Sequence, residues 1–163
     1  MRTGSVRSYW IRFLTAAARN SLRLTTLVLL LPCPLHAQVR ISEFVYDVQG
    51  SDGKHEWIEL FNAGEVPVDI TKWKIHDTSS HVLNAPPKNG STGTTTMQPR
   101  SFLIVANDAA TFRSTYPDLH ASIIDTSINL PNAAGTISII DSKGKTVDAV
   151  KYSASLGGAG NGD

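Results

Sequence analysis

The sequence predicts an all-β fold, a sandwich or a barrel with one short helix, preceded by an export segment. Short runs rich in β-branched and aromatic residues recur between residues 39 and 152. Gly, Asn, Asp and Pro cluster in the gaps between these runs, where turns need them. Several short strands at such spacing are typical of sandwiches and barrels.

Seven runs are interpreted as strands because β-branched and aromatic residues dominate them. In chain order they are Val39–Tyr46, Glu56–Phe61, Val68–Ile75, Phe102–Ala106, Ala121–Asp125, Thr136–Asp141 and Val147–Tyr152. Asn62–Gly64 and Ser142–Gly144 are predicted turns, since Gly and Asn accept positive φ.

One helix is predicted between the fourth and fifth strands. Asn107 or Asp108 can cap it, and Phe112 and Tyr116 lie four residues apart on one face. Pro117 ends it, because proline cannot continue a helix.

A Pro-, Gly- and Thr-rich stretch from Asn84 to Arg100 is predicted to be a long loop. A loop of this length within a compact domain is either functional or mobile. If it is functional, we expect it to face outward and to form a contact surface.

The first 37 residues have the composition of a secretory signal peptide. Five arginines precede a short apolar run, Leu27–Leu31. A proline-containing segment follows this run and ends at Ala37. The run is too short to span a bilayer, which needs about 20 residues. We expect cleavage after Ala37 and a mature domain at residues 38–163; an uncleaved signal anchor is the alternative.

Removal of residues 1–37 changes the charge balance of the chain. The whole chain has 15 Lys and Arg and 14 Asp and Glu. Without the five leader arginines, 10 cations face 14 acids, so the mature net charge is −4, and the single cysteine, Cys33, is also lost. A nucleic-acid partner is not expected of an acidic chain, because affinity for the phosphate backbone comes mainly from Lys and Arg.

Three stretches together resemble the lamin tail domain family. They are ISEF at 41–44 followed by EWIELFN at 56–62, VDITKWKIHD at 68–77, and SINLPNAAGTISIID at 127–141 continued by Gly144 and VDAVKY at 147–152. The resemblance covers nearly the whole mature chain, and the EWIELFN block is its most specific part. It implies an immunoglobulin-like two-sheet β-sandwich with Greek-key connections.

The resemblance also implies an interaction role. Lamin tail domains of nuclear lamins bind proteins and DNA, whereas similar bacterial domains occur in exported and envelope proteins, often beside hydrolase domains and without catalysis of their own. The signal peptide fits the bacterial exported type. Family members continue past a Gly-Asn-Gly-Asp turn, here residues 160–163, into another strand, so we expect this copy to be truncated at its last strand and to expose an edge.

Nine positions that match the family's motifs are expected to be structural. They are Glu43, Glu56, Trp57, Glu59, Asn62, Trp73, Asp77, Gly144 and Asp148. Glu59 lies between two aromatic residues on one strand face and Glu43 lies among apolar residues, so both are expected to be partly buried and hydrogen-bonded, Glu59 by amides of an adjoining loop. The two tryptophans are expected to anchor the core.

Asp47, Asp52 and Glu56 bracket a glycine-containing loop and are candidate ligands for Ca²⁺. Their spacing does not match an EF-hand, so we interpret them as a solvated acidic loop and expect neither a metal nor another cofactor. The stretch His55–Glu59 lacks the second histidine of the zinc-protease motif and has strand residues where that motif needs a helix.

No catalytic residues are predicted, since no Gly-x-Ser-x-Gly elbow is present and the only thiol leaves with the leader. We therefore expect a non-catalytic binding or tethering module in the periplasm, on the cell surface or outside the cell. Its partner is expected to be a protein or a cell-envelope component. Two alternatives are an accessory domain of a longer secreted nuclease or phosphatase, and a Ca²⁺-dependent carbohydrate-binding domain.

Overall fold

The computed structural model describes residues 39–48, 52–153 and 155, and these residues form a β-sandwich. The predicted signal peptide and the Gly-rich stretch near residue 160 lie outside the described residues. The described strands are β1 (Val39–Val45), β2 (Trp57–Asn62), β3 (Val68–Asp69), β4 (Lys74–His76), β5 (Ser80–Val82), β6 (Thr96–Met97), β7 (Phe102–Ala106), β8 (Ser122–Asp125), β9 (Ala134–Ile140) and β10 (Thr146–Ser153). The described helix α1 is Ala109–Thr115. The all-β prediction with one short α-helix is confirmed.

Two four-stranded sheets make up the sandwich. The first sheet has the order β1-β2-β7-β8, and the second has the order β10-β9-β4-β5. Strands β3 and β6 form a separate two-stranded ladder. Neighbouring strands are antiparallel except β7 and β8, which run parallel. A parallel pair needs a long crossover connection, and α1 lies within it.

The alternation of β2 places the first sheet between two apolar layers. Ile58 and Leu60 have no exposed surface and belong to the main core with Ile137 of the second sheet. Trp57 projects from the opposite face of β2 and packs in a second cluster with Phe112 of α1. The second sheet therefore covers one face of the first sheet, and α1 covers part of the other.

The predicted strand Val68–Ile75 is wrong as a single element. The chain forms β3, turns at Thr71 and Lys72, and then forms β4. The Asp69 carboxylate accepts hydrogen bonds from both the amide and the hydroxyl of Thr71, and such local bonds compete with a strand. Lys72 has a φ of 63°, which ends the extended backbone.

Helix α1 agrees with the prediction. Asp108 caps it, because its side chain accepts a 2.8 Å hydrogen bond from the amide of Thr111. Phe112 packs against the first sheet, and Tyr116 is the C-cap residue, with its ring 4.8 Å from that of Phe112. Pro117 follows, and the helix has already ended there.

The long segment from Asn84 to Arg100 packs along the edge of the first sheet and includes the short strand β6. Thr92 forms an antiparallel bridge with Ile123 of β8, with N–O distances of 2.9 and 3.0 Å. The hydroxyl of Ser91 accepts the amide of Asp125 at 2.9 Å. The segment therefore occupies hydrogen-bonding groups that an edge strand would otherwise expose. Its expected use as an outward-facing contact surface stays a prediction.

Candidate functional site

One end of the sandwich contains three side chains that hold the loop at 127–133, which connects β8 to β9. Asn107 Oδ1, Asp77 Oδ2 and Glu56 Oε1 accept hydrogen bonds from the three consecutive amides at 128–130, at 3.1, 2.7 and 2.9 Å. These side chains come from three separate parts of the chain: Glu56 directly precedes β2, Asp77 follows β4 and Asn107 follows β7. The arrangement holds the loop at three successive positions, and it matters most at Ile128 and Leu130, whose burial would otherwise leave their amides without a partner.

The environment of Glu56 is unusual for a carboxylate. Glu56 is only 5% exposed. Burial raises its pKa to about 7, the amide of Leu130 partly offsets this effect, and the charges of Asp52 and Asp77 add to it. Glu56 is therefore largely protonated in the folded protein below neutral pH.

Tyr152 of β10 belongs to the same end of the sandwich. Its hydroxyl donates a 2.9 Å hydrogen bond to the carbonyl of Pro131. Burial raises the pKa of Tyr152 to about 12, and the neighbouring Glu56 contributes to the shift. This tyrosine therefore keeps its proton, and with it the hydrogen bond to the loop, throughout the physiological pH range.

The candidate Ca²⁺ ligands are used in different ways. Asp52 accepts the amide of Val48 and the side-chain amide of Asn132, and these bonds lower its pKa. Asp47 contacts the same Asn132 group at 3.3 Å, whereas Glu56 is directed to the 127–133 loop. Among residues 39–48, 52–153 and 155, no three His, Cys, Asp or Glu side chains are grouped to hold a metal. The three acids are therefore not gathered into a Ca²⁺ site within the described residues, and the expectation that the protein binds no metal stays a prediction.

Asn62 at the end of β2 is fully buried and acts as a junction. Its side-chain amide donates to the carbonyls of Val66, Met97 and Gln98 at 2.8–3.2 Å. Its Oδ1 accepts the amide of Gly64 at 3.0 Å. One side chain thus fixes the turn after β2 and joins it to β6.

Glu59 and Glu43 lie opposite each other on β2 and β1. Glu59 is half-buried, and its Oε1 accepts a 2.7 Å hydrogen bond from the hydroxyl of Ser42, where amides of an adjoining loop were expected. The expectation that Glu43 is partly buried is wrong. A β-bulge between Ile41 and Glu43 shifts the alternation of β1, so Glu43 is exposed and Phe44 packs on the core.

The other positions singled out in the sequence also lie in structural contacts. Trp73 is buried in the main core. Gly144, in the turn between β9 and β10, has a φ of 84°, a conformation that favours glycine. Asp148 of β10 accepts a 2.9 Å hydrogen bond from the amide of Ile41 and so joins the second sheet to the first.

A groove, here called the α1 groove, lies beside helix α1 and was not foreseen from the sequence. Its main part has a volume of about 900 Å³, and a second depression of about 210 Å³ adjoins it through residues 120–122. The lining that bears on function is Arg113, Tyr116, Leu119, His120, Ser122 and Phe102.

The α1 groove gathers three of the four large apolar side chains that are exposed among the described residues. Of the described residues, four large apolar side chains are exposed, and three line this groove: Tyr116 at 43%, Leu119 at 45% and Phe102 at 50%. The fourth, Val82, lies on β5. Isolated exposed apolar residues are common, but apolar residues gathered in one concave surface mark interaction sites.

The wall of the α1 groove is closely packed. A Cβ atom built at Gly93 would lie 2.2 Å from the hydroxyl oxygen of Ser122, and Gly93 has a φ of 84°. Glycine is therefore required where this segment crosses β8. Asp125 connects the same region to the helix, because its Oδ2 accepts the amide of Ala109 and its Oδ1 accepts the side-chain amide of Asn89.

These features define an immunoglobulin-like β-sandwich in which polar side chains such as Glu56, Asn62 and Asp148 hold loops and strand edges. The sequence model of the Lamin Tail Domain family matches residues 34–154, and the chain belongs to this family. The predicted family and fold class are thereby confirmed. A comparison with curated proteins found no match. Membership indicates a domain of the protein-interaction type and leaves the partner unidentified.

Proposed function

We propose that this protein is an exported, non-catalytic interaction module that binds a protein partner through the α1 groove. The observation that carries the proposal is the gathering of Tyr116, Leu119 and Phe102 in one concave surface. Large aromatic and aliphatic side chains of this kind supply most of the binding free energy at protein interfaces. Family membership supports the same class of function.

The groove offers little chemistry for catalysis. Its lining contains no carboxylate and no thiol. His120 therefore has no acidic partner there to orient it as a general base, and Ser122 already accepts the amide of Thr94. The buried acids Glu56 and Asp77 accept backbone amides at the end of the sandwich. These arrangements favour a binding role.

Export is proposed on the basis of the leader at residues 1–37. In the described residues, no helix is both long enough and apolar enough to cross a membrane. Mass spectrometry of the protein recovered from its own cells should give a mature form that begins at Gln38. Deletion of residues 2–37 should leave the protein in the cytoplasm, and unchanged export of that variant would refute the proposal.

Photo-crosslinking tests the binding proposal directly. A photoreactive amino acid is placed at Leu119 in the full chain, and a matched variant carries it at Val82. Both side chains are almost equally exposed, but only Leu119 lines the α1 groove. A discrete protein adduct from position 119 and none from position 82 is expected. Identical adduct patterns, or no adduct at 119, would contradict a role for the groove.

A further inference from the structure

The α1 groove consists of two depressions that share part of their lining. The larger one carries Arg113, Tyr116 and Leu119, and the smaller one carries Phe102. Residues His120 and Ser122 line both. A ligand that occupies both depressions must therefore be elongated, and the volume of the larger one lies within the range of about 300–1,000 Å³ that is typical of ligand sites.

The charge of the groove is opposite to that of the mature chain. The lining of both depressions includes the guanidinium of Arg113 and the imidazole of His120 but no acidic residue. Residues 38–163 carry a net charge of −4. Asp118 lies between the lining residues Pro117 and Leu119 but does not itself line the groove.

Arg113 is available for a ligand. It is exposed, and its Nη1 donates one long hydrogen bond of 3.5 Å to the carbonyl of Gly90. It has no acidic partner among the described residues, whose Lys and Arg ion pairs are Lys54–Asp108 and Arg100–Glu65. A guanidinium has five N–H donors in a planar array that matches a carboxylate.

One surface thus combines three exposed apolar side chains with the guanidinium of Arg113. We propose, resting on the proposed function, that the α1 groove binds a linear acidic peptide segment of a partner protein. The apolar side chains of the segment pack on Tyr116, Leu119 and Phe102, and its carboxylates pair with Arg113. Bidentate pairing of a carboxylate with arginine gives orientation as well as affinity.

The test uses the processed protein purified from cells that express the full chain, and two fluorescent ten-residue peptides. One peptide alternates Leu or Phe with Asp or Glu; its partner has the same apolar residues, with Lys in place of each acid. Fluorescence polarisation should show binding of the acidic peptide and at least about tenfold weaker binding of the basic one. Raising NaCl from about 0.05 to about 0.5 M should weaken the acidic complex, because salt screens exposed charge pairs.

Two charge-reversal variants locate the site. Arg113→Glu should weaken binding of the acidic peptide by at least about tenfold. Arg40→Glu, which changes another exposed arginine, on β1 and outside the groove, should leave binding unchanged. Circular dichroism of both variants must match that of the wild type. If Arg113→Glu alters the fold, Arg113→Gln replaces it and should also weaken binding of the acidic peptide, because it removes the charge.

The outcomes separate this inference from the proposed function. If both peptides bind equally, or if Arg113→Glu has no effect, the acidic-peptide inference is wrong, while a crosslink from Leu119 would still support a binding groove. No binding of the acidic peptide at millimolar concentration would also overturn the inference. Preferential binding to vesicles of anionic lipid, measured by sedimentation, would replace a peptide partner with a membrane surface and refute it.

Discussion

Replacement of Glu56 by glutamine should make the stability of the protein less dependent on pH. Glu56 is almost completely buried, and its Oε1 accepts the amide of Leu130 at 2.9 Å. Glutamine keeps a carbonyl oxygen at this position but cannot ionise. The variant therefore isolates the free energy of ionising one buried carboxyl group.

The sign follows from proton binding in the two states. Burial raises the pKa of Glu56 to about 7 in the folded protein, against its ordinary value of 4.5 in the unfolded chain. Between these values the folded state binds more protons than the unfolded state, so the free energy of unfolding falls as pH rises. Below pH 4.5 both states are protonated, and above pH 7 the full penalty is present. The difference of about 2.5 pKa units corresponds to roughly 3 kcal/mol as an upper value.

Urea unfolding at pH 5, 6, 7 and 8 and constant ionic strength measures the effect. At each pH, the free energy of unfolding of E56Q is subtracted from that of the wild type. This difference should fall by roughly 2–3 kcal/mol between pH 5 and pH 8. Subtraction of the two curves removes the contributions of histidines common to both proteins. Glu43→Gln, at an exposed position, is the control and should not change the slope. A parallel pH dependence of wild type and E56Q would refute the reasoning.

Three further substitutions test structural roles. Asn62→Ala removes four hydrogen bonds in a fully buried site and should cost about 3 kcal/mol or more in urea unfolding; a loss below 1 kcal/mol would contradict its role as a junction. Tyr152→Phe removes the hydrogen bond to Pro131 and should cost about 1 kcal/mol of unfolding free energy near neutral pH. It should also abolish the loss of stability between pH 10 and 12 that the raised pKa of Tyr152 predicts, and an unaltered alkaline stability profile would contradict that prediction. Gly93→Ala should destabilise the protein by about 1–3 kcal/mol, because the added Cβ would collide with Ser122. Amide hydrogen exchange in β8 should become faster in this variant. Unchanged exchange would show that the segment at 84–100 does not protect this edge of the sheet.

Most of the long strands were predictable because their residue types determine them locally. β2, β7 and β9 combine β-branched and aromatic residues with flanking turn residues, and the cap and stop of α1 are both visible in the sequence. The short strands β5 and β6 were missed. They have three and two residues, so their pairing depends on tertiary neighbours and leaves no local pattern.

The candidate site was less predictable than the fold. The roles of Asn107, Asp125 and Asn132 were missed because their hydrogen bonds join residues between 16 and 85 positions apart. Composition and spacing describe near neighbours and contain no information on such contacts. Tyr116 was recognised as a helix-face residue, but its exposed side became meaningful only when folding brought Phe102 and Leu119 to the same groove.

The contact between Asp148 and Ile41 has a mechanical consequence when the chain is under tension. Tension applied at Val39 and Ser153, the outer ends of β1 and β10, reaches these two strands first. Within the described part of the chain they belong to different sheets, and no hydrogen-bonded ladder joins them. Between the described residues of β1 and β10, the seam is held by the Asp148–Ile41 bond and by side-chain packing. Resistance to force must therefore come from the ladders that join β1 to β2 and β10 to β9, and each sheet can yield without breaking a shared ladder.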